Sequence, residues 1–125
     1  MGIQIPSRSP SNVPGFQYNG SLSQTGANLS TVASVLYGFY GENNSSTDAV
    51  YLQFFNLPVA SVTIGTTVAD FTIRLPAGGA VGRDAQDYPL MHFPVACSVF
   101  CTSTRTGASA PASNATVLSW CENRR

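Results

Sequence analysis

The sequence predicts an all-β protein built as an antiparallel sandwich or barrel, and three observations predict it. Residues 67–75 alternate strictly, with Ala69, Phe71, Ile73 and Leu75 on one side and Asp70, Thr72 and Arg74 on the other, which is the period of a half-buried strand. No stretch of helix length carries apolar residues at i, i+3, i+4 and i+7. Short apolar runs alternate with clusters of Gly, Pro, Asn and Ser, the grammar of many strands joined by turns.

Taken in chain order, residues 1–28 read as an extended arm. Pro6, Pro10 and Pro14 oppose helix, and Ile3, Ile5, Val13, Phe16, Tyr18 and Leu22 keep no sustained period. The segment is either a disordered tail or an extended arm that orders on a neighbour, and its scattered large apolar side chains, foreign to purely solvating tails, favour the second slightly. Residues 29–125 then form the folded domain. Thr31–Tyr40 is rich in β-branched and aromatic residues, with Val35, Tyr37 and Phe39 expected on one face. Residues 41–46 form a turn cluster. Asp48–Asn56 places Val50, Leu52 and Phe54 opposite Tyr51, Gln53 and Phe55, so this strand is expected to be central and covered on both sides.

Pro58 demotes residues 57–65 to a loop with a short extended piece. The alternating strand 67–75 closes at Pro76-Ala77-Gly78-Gly79. Residues 82–89, carrying Arg83, Asp84 and Asp87, read as a surface loop. Leu90–Thr102 reads as one strand, with Phe93, Val95, Cys97, Val99 and Cys101 on one face and Pro94 marking an edge or bulge. A Gly/Ser/Ala/Pro loop follows at 104–113. Ala115–Cys121 is the last strand, with Thr116, Leu118 and Trp120 opposite Val117 and Ser119.

Composition narrows the function classes. At 125 residues and 43% hydrophobic, the chain fits one domain with a sizeable core. Only 10% of residues are charged, and the net charge is zero, against about 25% charged in a typical domain. All basic residues are Arg, and no cluster offers the stripe that phosphate neutralisation needs, so nucleic acid is not an expected partner. Arg124-Arg125 reads as a solvated terminus. A neutral, charge-poor surface is better tolerated when partners cover it. No run has signal-peptide character and none approaches the ~20 residues of a membrane span. The expected product is therefore made and kept in the cytoplasm without a membrane partner, and its Asn-x-Ser/Thr sequons are chance.

Residues with chemical potential are few. His92 is the single histidine, and alternation sets it opposite Cys97 and Cys101. Those two cysteines are too far apart along one strand to pair, since they are separated by ~13 Å. Either could meet Cys121, and buried free thiols are the plain alternative. Asp84 and Asp87 offer too few oxygens for calcium, and no metal or cofactor is expected. Gly78-Gly79-Ala80-Val81-Gly82 lacks the Lys-Ser/Thr of a phosphate loop. Asp70 and Arg74 share an outward face with Thr72 between them; it reads first as a solvated sheet face, with a cross-strand or intersubunit ion pair as the alternative. No acid–base constellation points to an enzyme.

The run VYLQFFNLPVASVTIGTTVADFTIRLPAGGA at Val50–Ala80 resembles a module of small structural proteins of tailed bacteriophages. Tyr51–Asn56 matches its first strand, Val62–Thr67 its loop, and Phe71–Gly79 its second strand and glycine-rich close. Leu36–Tyr40 with Asn43-Asn44-Ser45 resembles the entry to that module. The likeness covers about half the chain and weakens after Ala80. The resemblance implies a β-sandwich of jelly-roll type and a capsid decoration, or cement, protein. Such a protein would bind the major capsid protein on the outside of the virion head as a homotrimer. Ile3, Ile5, Val13, Phe16, Tyr18 and Leu22 of the arm and Asp70, Thr72 and Arg74 of the outward face would then make the contacts. Two alternatives are another virion part (tail, neck or fibre attachment) and a carbohydrate-binding sandwich using Tyr40, Tyr88 and Trp120 as platforms.

Overall fold

A computed structural model describes residues 16–84 and 90–123. Within them the chain forms β1 (Phe16–Leu22), β2 (Ala27–Ser30), β3 (Ser34–Glu42), β4 (Val50–Phe55), β5 (Phe71–Leu75), β6 (Ala80–Asp84), β7 (Met91–Phe93), β8 (Cys97–Thr102) and β9 (Ala115–Asn123). A 3-10 turn lies at Val59–Ser61. Sheet I runs β1-β9-β3-β6, with β7 also on β3, and sheet II runs β2-β8-β4-β5. The pairings are antiparallel. The fold is all-β, and the two sheets enclose one core.

The central role expected of residues 48–56 is what the structure shows. Val50, Leu52 and Phe54 of β4 are fully buried in the core, and Gln53 and Phe55 on the opposite face are buried too. Phe55 meets Phe100 edge-on at 5.3 Å. Loop backbone lies over this outer side, where Leu57 O accepts from Ser98 Oγ (2.7 Å) and Gly107 O accepts from Gln53 Nε2 (3.1 Å). Inside, Phe39 of sheet I packs on Phe54 at 5.6 Å, Phe54 stacks on Phe71 at 4.5 Å, and Phe71 reaches Phe93 at 6.5 Å. These rings tie the sheets together, and offset or edge contacts of this kind add to area burial. Gly41 faces inward where a Cβ would lie 2.9 Å from Leu52 Cδ1, so a side chain there would push the sheets apart.

Several expectations need correcting. The arm does not extend to residue 28: Phe16–Leu22 pairs with β9, Ala27–Ser30 pairs with β8, and Leu22 sits in the core. The prolines that signal an arm stop at Pro14, so the backbone beyond is free to donate ladder hydrogen bonds. In β3 the partners step from Leu36↔Cys121 to Gly38↔Trp120. Tyr37 is thus an extra residue, and the bulge brings Leu36 rather than Tyr37 into the core with Phe39. The expected loop at 82–89 begins with strand β6, whose pairing needs only backbone and so leaves no apolar alternation to read; residues 85–89 lie outside the described residues. The expected strand 90–102 breaks at Pro94 into β7 in sheet I and β8 in sheet II, leaving Val95 52% exposed. β5 starts at Phe71, because residues 67–70 turn toward the end of β4, where Asp70 N–H donates to Phe54 O (2.8 Å).

Two chain crossings between the sheets meet at Asn43. Its buried Nδ2 donates to Asp48 O (2.8 Å), Leu75 O (3.1 Å) and Pro76 O (3.1 Å), while its Oδ1 accepts from Ser45 N–H (2.9 Å). Its backbone N–H donates to Gly79 O (2.9 Å), and Gly78 N–H donates to Ser45 O (2.7 Å). The β3–β4 and β5–β6 connections are thereby fastened to each other.

Asn43→Ala strands these carbonyls and should cost about 3 kcal/mol in urea unfolding; wild-type stability would contradict the clasp. Ser119 gives the opposite expectation. Its Oγ is the buried side-chain polar atom lacking a partner among the described residues. Ser119→Ala should leave stability unchanged or raise it by up to about 1 kcal/mol in the same assay.

Candidate interaction surfaces

The outer face of sheet I is aromatic. Cross-strand register aligns Phe16, Trp120 and Gly38 in one row and Tyr18, Leu118 and Tyr40 in the next. Directly opposed residues share a face, and the core-facing positions of β9 are Ala115, Val117 and Cys121, so both rows point outward. Phe16 and Trp120 meet edge-on at 5.6 Å. Tyr18 is 67% exposed, and Phe16 and Tyr40 are exposed as well. Tyr40 Oη reaches Glu42 Oε2 (3.4 Å), and Thr116 Oγ1 accepts from Asn44 Nδ2 (3.1 Å). These polar groups border the rows on one side.

The outer face of sheet II is partly roofed, with a cleft of about 350 Å³ between the residue 65–69 loop and the 105–106 loop. Gln53 and Thr72 form part of its floor, and Arg105 is the charged member of its lining. The Arg105 guanidinium lies 5.3 Å from the centre of the Tyr51 ring, a cation–π contact. Arg74 is exposed on the edge strand and directly opposite Tyr51 in register.

No protein-family model, curated protein or solved structure matches the chain. The surfaces therefore speak through their own chemistry. Of the contact residues read from sequence, Phe16 and Tyr18 lie together on the aromatic face, and Leu22 is core. Thr72 lines the cleft and Arg74 stands beside it. Asp70 is exposed but turned to the loop, its Oδ2 accepting from Asn56 N–H (2.6 Å). Ile3, Ile5 and Val13 lie outside the described residues, as does Tyr88. Tyr40 and Trp120, read separately as sugar platforms, belong to the same face as Phe16. Leu118 completes that face and was visible in the alternation of the last strand. Arg105 carried no local signal, because only the tertiary fold brings its loop over Tyr51.

The thiols are buried and free. Cys97 of sheet II hydrogen-bonds Cys121 of sheet I across the core, and Cys121 Sγ contacts Ser34 Oγ at 3.2 Å. Donating its proton to Cys121 and being buried both hold the Cys97 thiol well above its ordinary value. Burial pushes Cys101 up to about 11, partly offset by a backbone hydrogen bond from Ala115. His92 is exposed on the opposite side of sheet I, paired with Val35, so no Cys–His pair forms. Among the described residues, no group of three His, Cys, Asp or Glu side chains could hold a metal ion.

The Cys101 shift carries a pH prediction. Its folded value of about 11 exceeds the ordinary 9.0, so above pH 9 the unfolded chain binds fewer protons than the folded one. Stability then falls as pH rises from 9 to 11. In urea unfolding across that range, Cys101→Ala should flatten the decline; an unchanged slope would contradict a thiol held neutral by burial.

Proposed function

We propose that this protein is a structural part of a tailed-bacteriophage particle, a decoration protein that binds the outside of the capsid shell and stabilises the head. The observation that carries this reading is the aromatic outer face of sheet I. Two rows of Phe, Tyr, Trp and Leu cross three strands, with Glu42 beside Tyr40 at their border. Tyr, Trp and Phe are enriched at protein interfaces, and exposed apolar patches of this kind mark contact sites. The resemblance at Val50–Ala80 supplies the class of particle. The strand orders β1-β9-β3-β6 and β2-β8-β4-β5 support reading the sandwich as a jelly roll, with β7 added on β3 beside the first order.

The mechanism is linkage. A protein that binds the assembled shell but not its separated subunits stabilises assembly by its binding free energy. Each apolar Å² covered contributes about 25 cal/mol before association costs. The part of the arm read from sequence that holds Ile3, Ile5 and Val13 immediately precedes Phe16 in the chain, and Phe16 belongs to the proposed contact face. The open sheet edges and the charge-poor surface favour a closed oligomer, with a trimer at three-fold positions the simplest arrangement.

Co-sedimentation of the purified chain with shells lacking it tests the reading. Wild-type protein should bind saturably over the whole head. Tyr18→Ala and Trp120→Ala should each weaken binding about tenfold or more, as interface aromatics do, with the far-UV spectrum unchanged. Few copies confined to tail or neck would favour the other virion roles. Full affinity in both variants would remove the aromatic face from the contact.

A further inference from the structure

The cleft on sheet II is chemically unlike the aromatic face and is independent of it. Its lining carries the hydroxyls of Thr66, Thr67, Thr72 and Thr106 on a surface that is apolar in larger part, and its charge comes from Arg105. We propose that the cleft binds a carboxylate-bearing sugar, a uronic or sialic acid residue of a glycan.

Three properties point to that ligand class. The first is charge geometry. The guanidinium is a planar fork suited to a carboxylate; it lies 5.3 Å from the centre of the Tyr51 ring, and exposed Arg74 adds positive charge on the same face. The second is size and lining. About 350 Å³ lies at the small end of the range for ligand sites, far more than a carboxylate alone fills. Hydroxyls of Thr66, Thr72 and Thr106 suit a polyol, and Val68 and Ala69 offer apolar surface to the C–H side of a sugar ring.

The third is rigidity. Thr66 N–H and Thr67 N–H both donate to Thr63 O (2.9 and 2.8 Å), and Thr63 N–H donates to Thr67 Oγ1 (2.9 Å). Gly65, at φ +90°, sits where a Cβ would be 3.0 Å from Ala108 Cβ, so the two loops touch. Below them Gln53 is held by Thr102 Oγ1 (2.7 Å) and Gly107 O (3.1 Å). A site whose walls are already fixed loses little ordering entropy on binding.

The test is an amide NMR titration of the full chain with glucuronic acid, N-acetylneuraminic acid, glucose and N-acetylglutamate. At least one acidic sugar should give saturable shifts confined to residues 65–69, Thr72 and 105–106, with glucose silent. Arg105→Ala should weaken binding about tenfold or more, the loss expected for a charge-assisted contact. Arg105→Lys, which keeps the charge but not the fork, should lose part of that, and so serves if Arg105→Ala does not fold. Thr72→Val should weaken binding with the charge intact. Absence of saturable shifts, equal binding of glucose, or full affinity in the arginine variants would overturn the proposal. Saturation by N-acetylglutamate at the same concentration as the sugars would also overturn it, assigning the cleft to acidic peptides.

Discussion

The buried amide of Asn43 is the contact on which the arrangement of the sandwich depends. A chain that passes repeatedly between two sheets must turn at their rim, and each turn leaves backbone carbonyls pointing inward with no strand partner. An unpaired buried carbonyl is costly. Asn43 answers three of them from two different crossings, so the β3–β4 and β5–β6 connections are held at one height. That height sets β3 against β6 in sheet I and β4 against β5 in sheet II. Asn56 acts similarly at the far end of β4, its Oδ1 accepting from Val95 N–H (2.8 Å) and Ala96 N–H (3.3 Å) at the crossing from β7 to β8.

With the corners held, the sheets differ in what lies outside them. Loops cover sheet II, and its outer residues Gln53, Phe55, Ser98, Phe100 and Thr102 are buried beneath them. Among the described residues, none forms such a roof over Phe16, Tyr18 and Tyr40 of sheet I. The asymmetry divides the molecule into a self-sufficient side with a small cleft and a side that leaves aromatic area to solvent. The proposed shell contact follows from this division.

Sequence pattern made some of this legible for a physical reason. Alternation is written wherever one face is buried, so β4, β5 and β9 could be read, and the two-sided burial of β4 followed from its two apolar faces. It fails where pairing rests on backbone alone or where the period slips. β6, with Gly82 and Arg83, carries no apolar rhythm. Tyr37 shifts the period by one residue within β3, and Pro94 moves the chain to the other sheet without interrupting the apolar run. β1 was hidden because Asn19 and Gly20 follow a proline-rich stretch, although Phe16 and Tyr18 were recognised as contact residues. The cleft draws on Gln53, Thr72 and Arg105 from three separate segments, and no local pattern joins them.

A contact surface on sheet I and a home on the capsid are the central claim, and a cryo-EM map of the particle carrying this protein tests it most directly. The account predicts the sandwich at the joints between major capsid subunits, with the face of Phe16, Tyr18, Tyr40 and Trp120 against a neighbouring chain. A map that places the protein elsewhere than the head, or that turns this face to solvent, would contradict it.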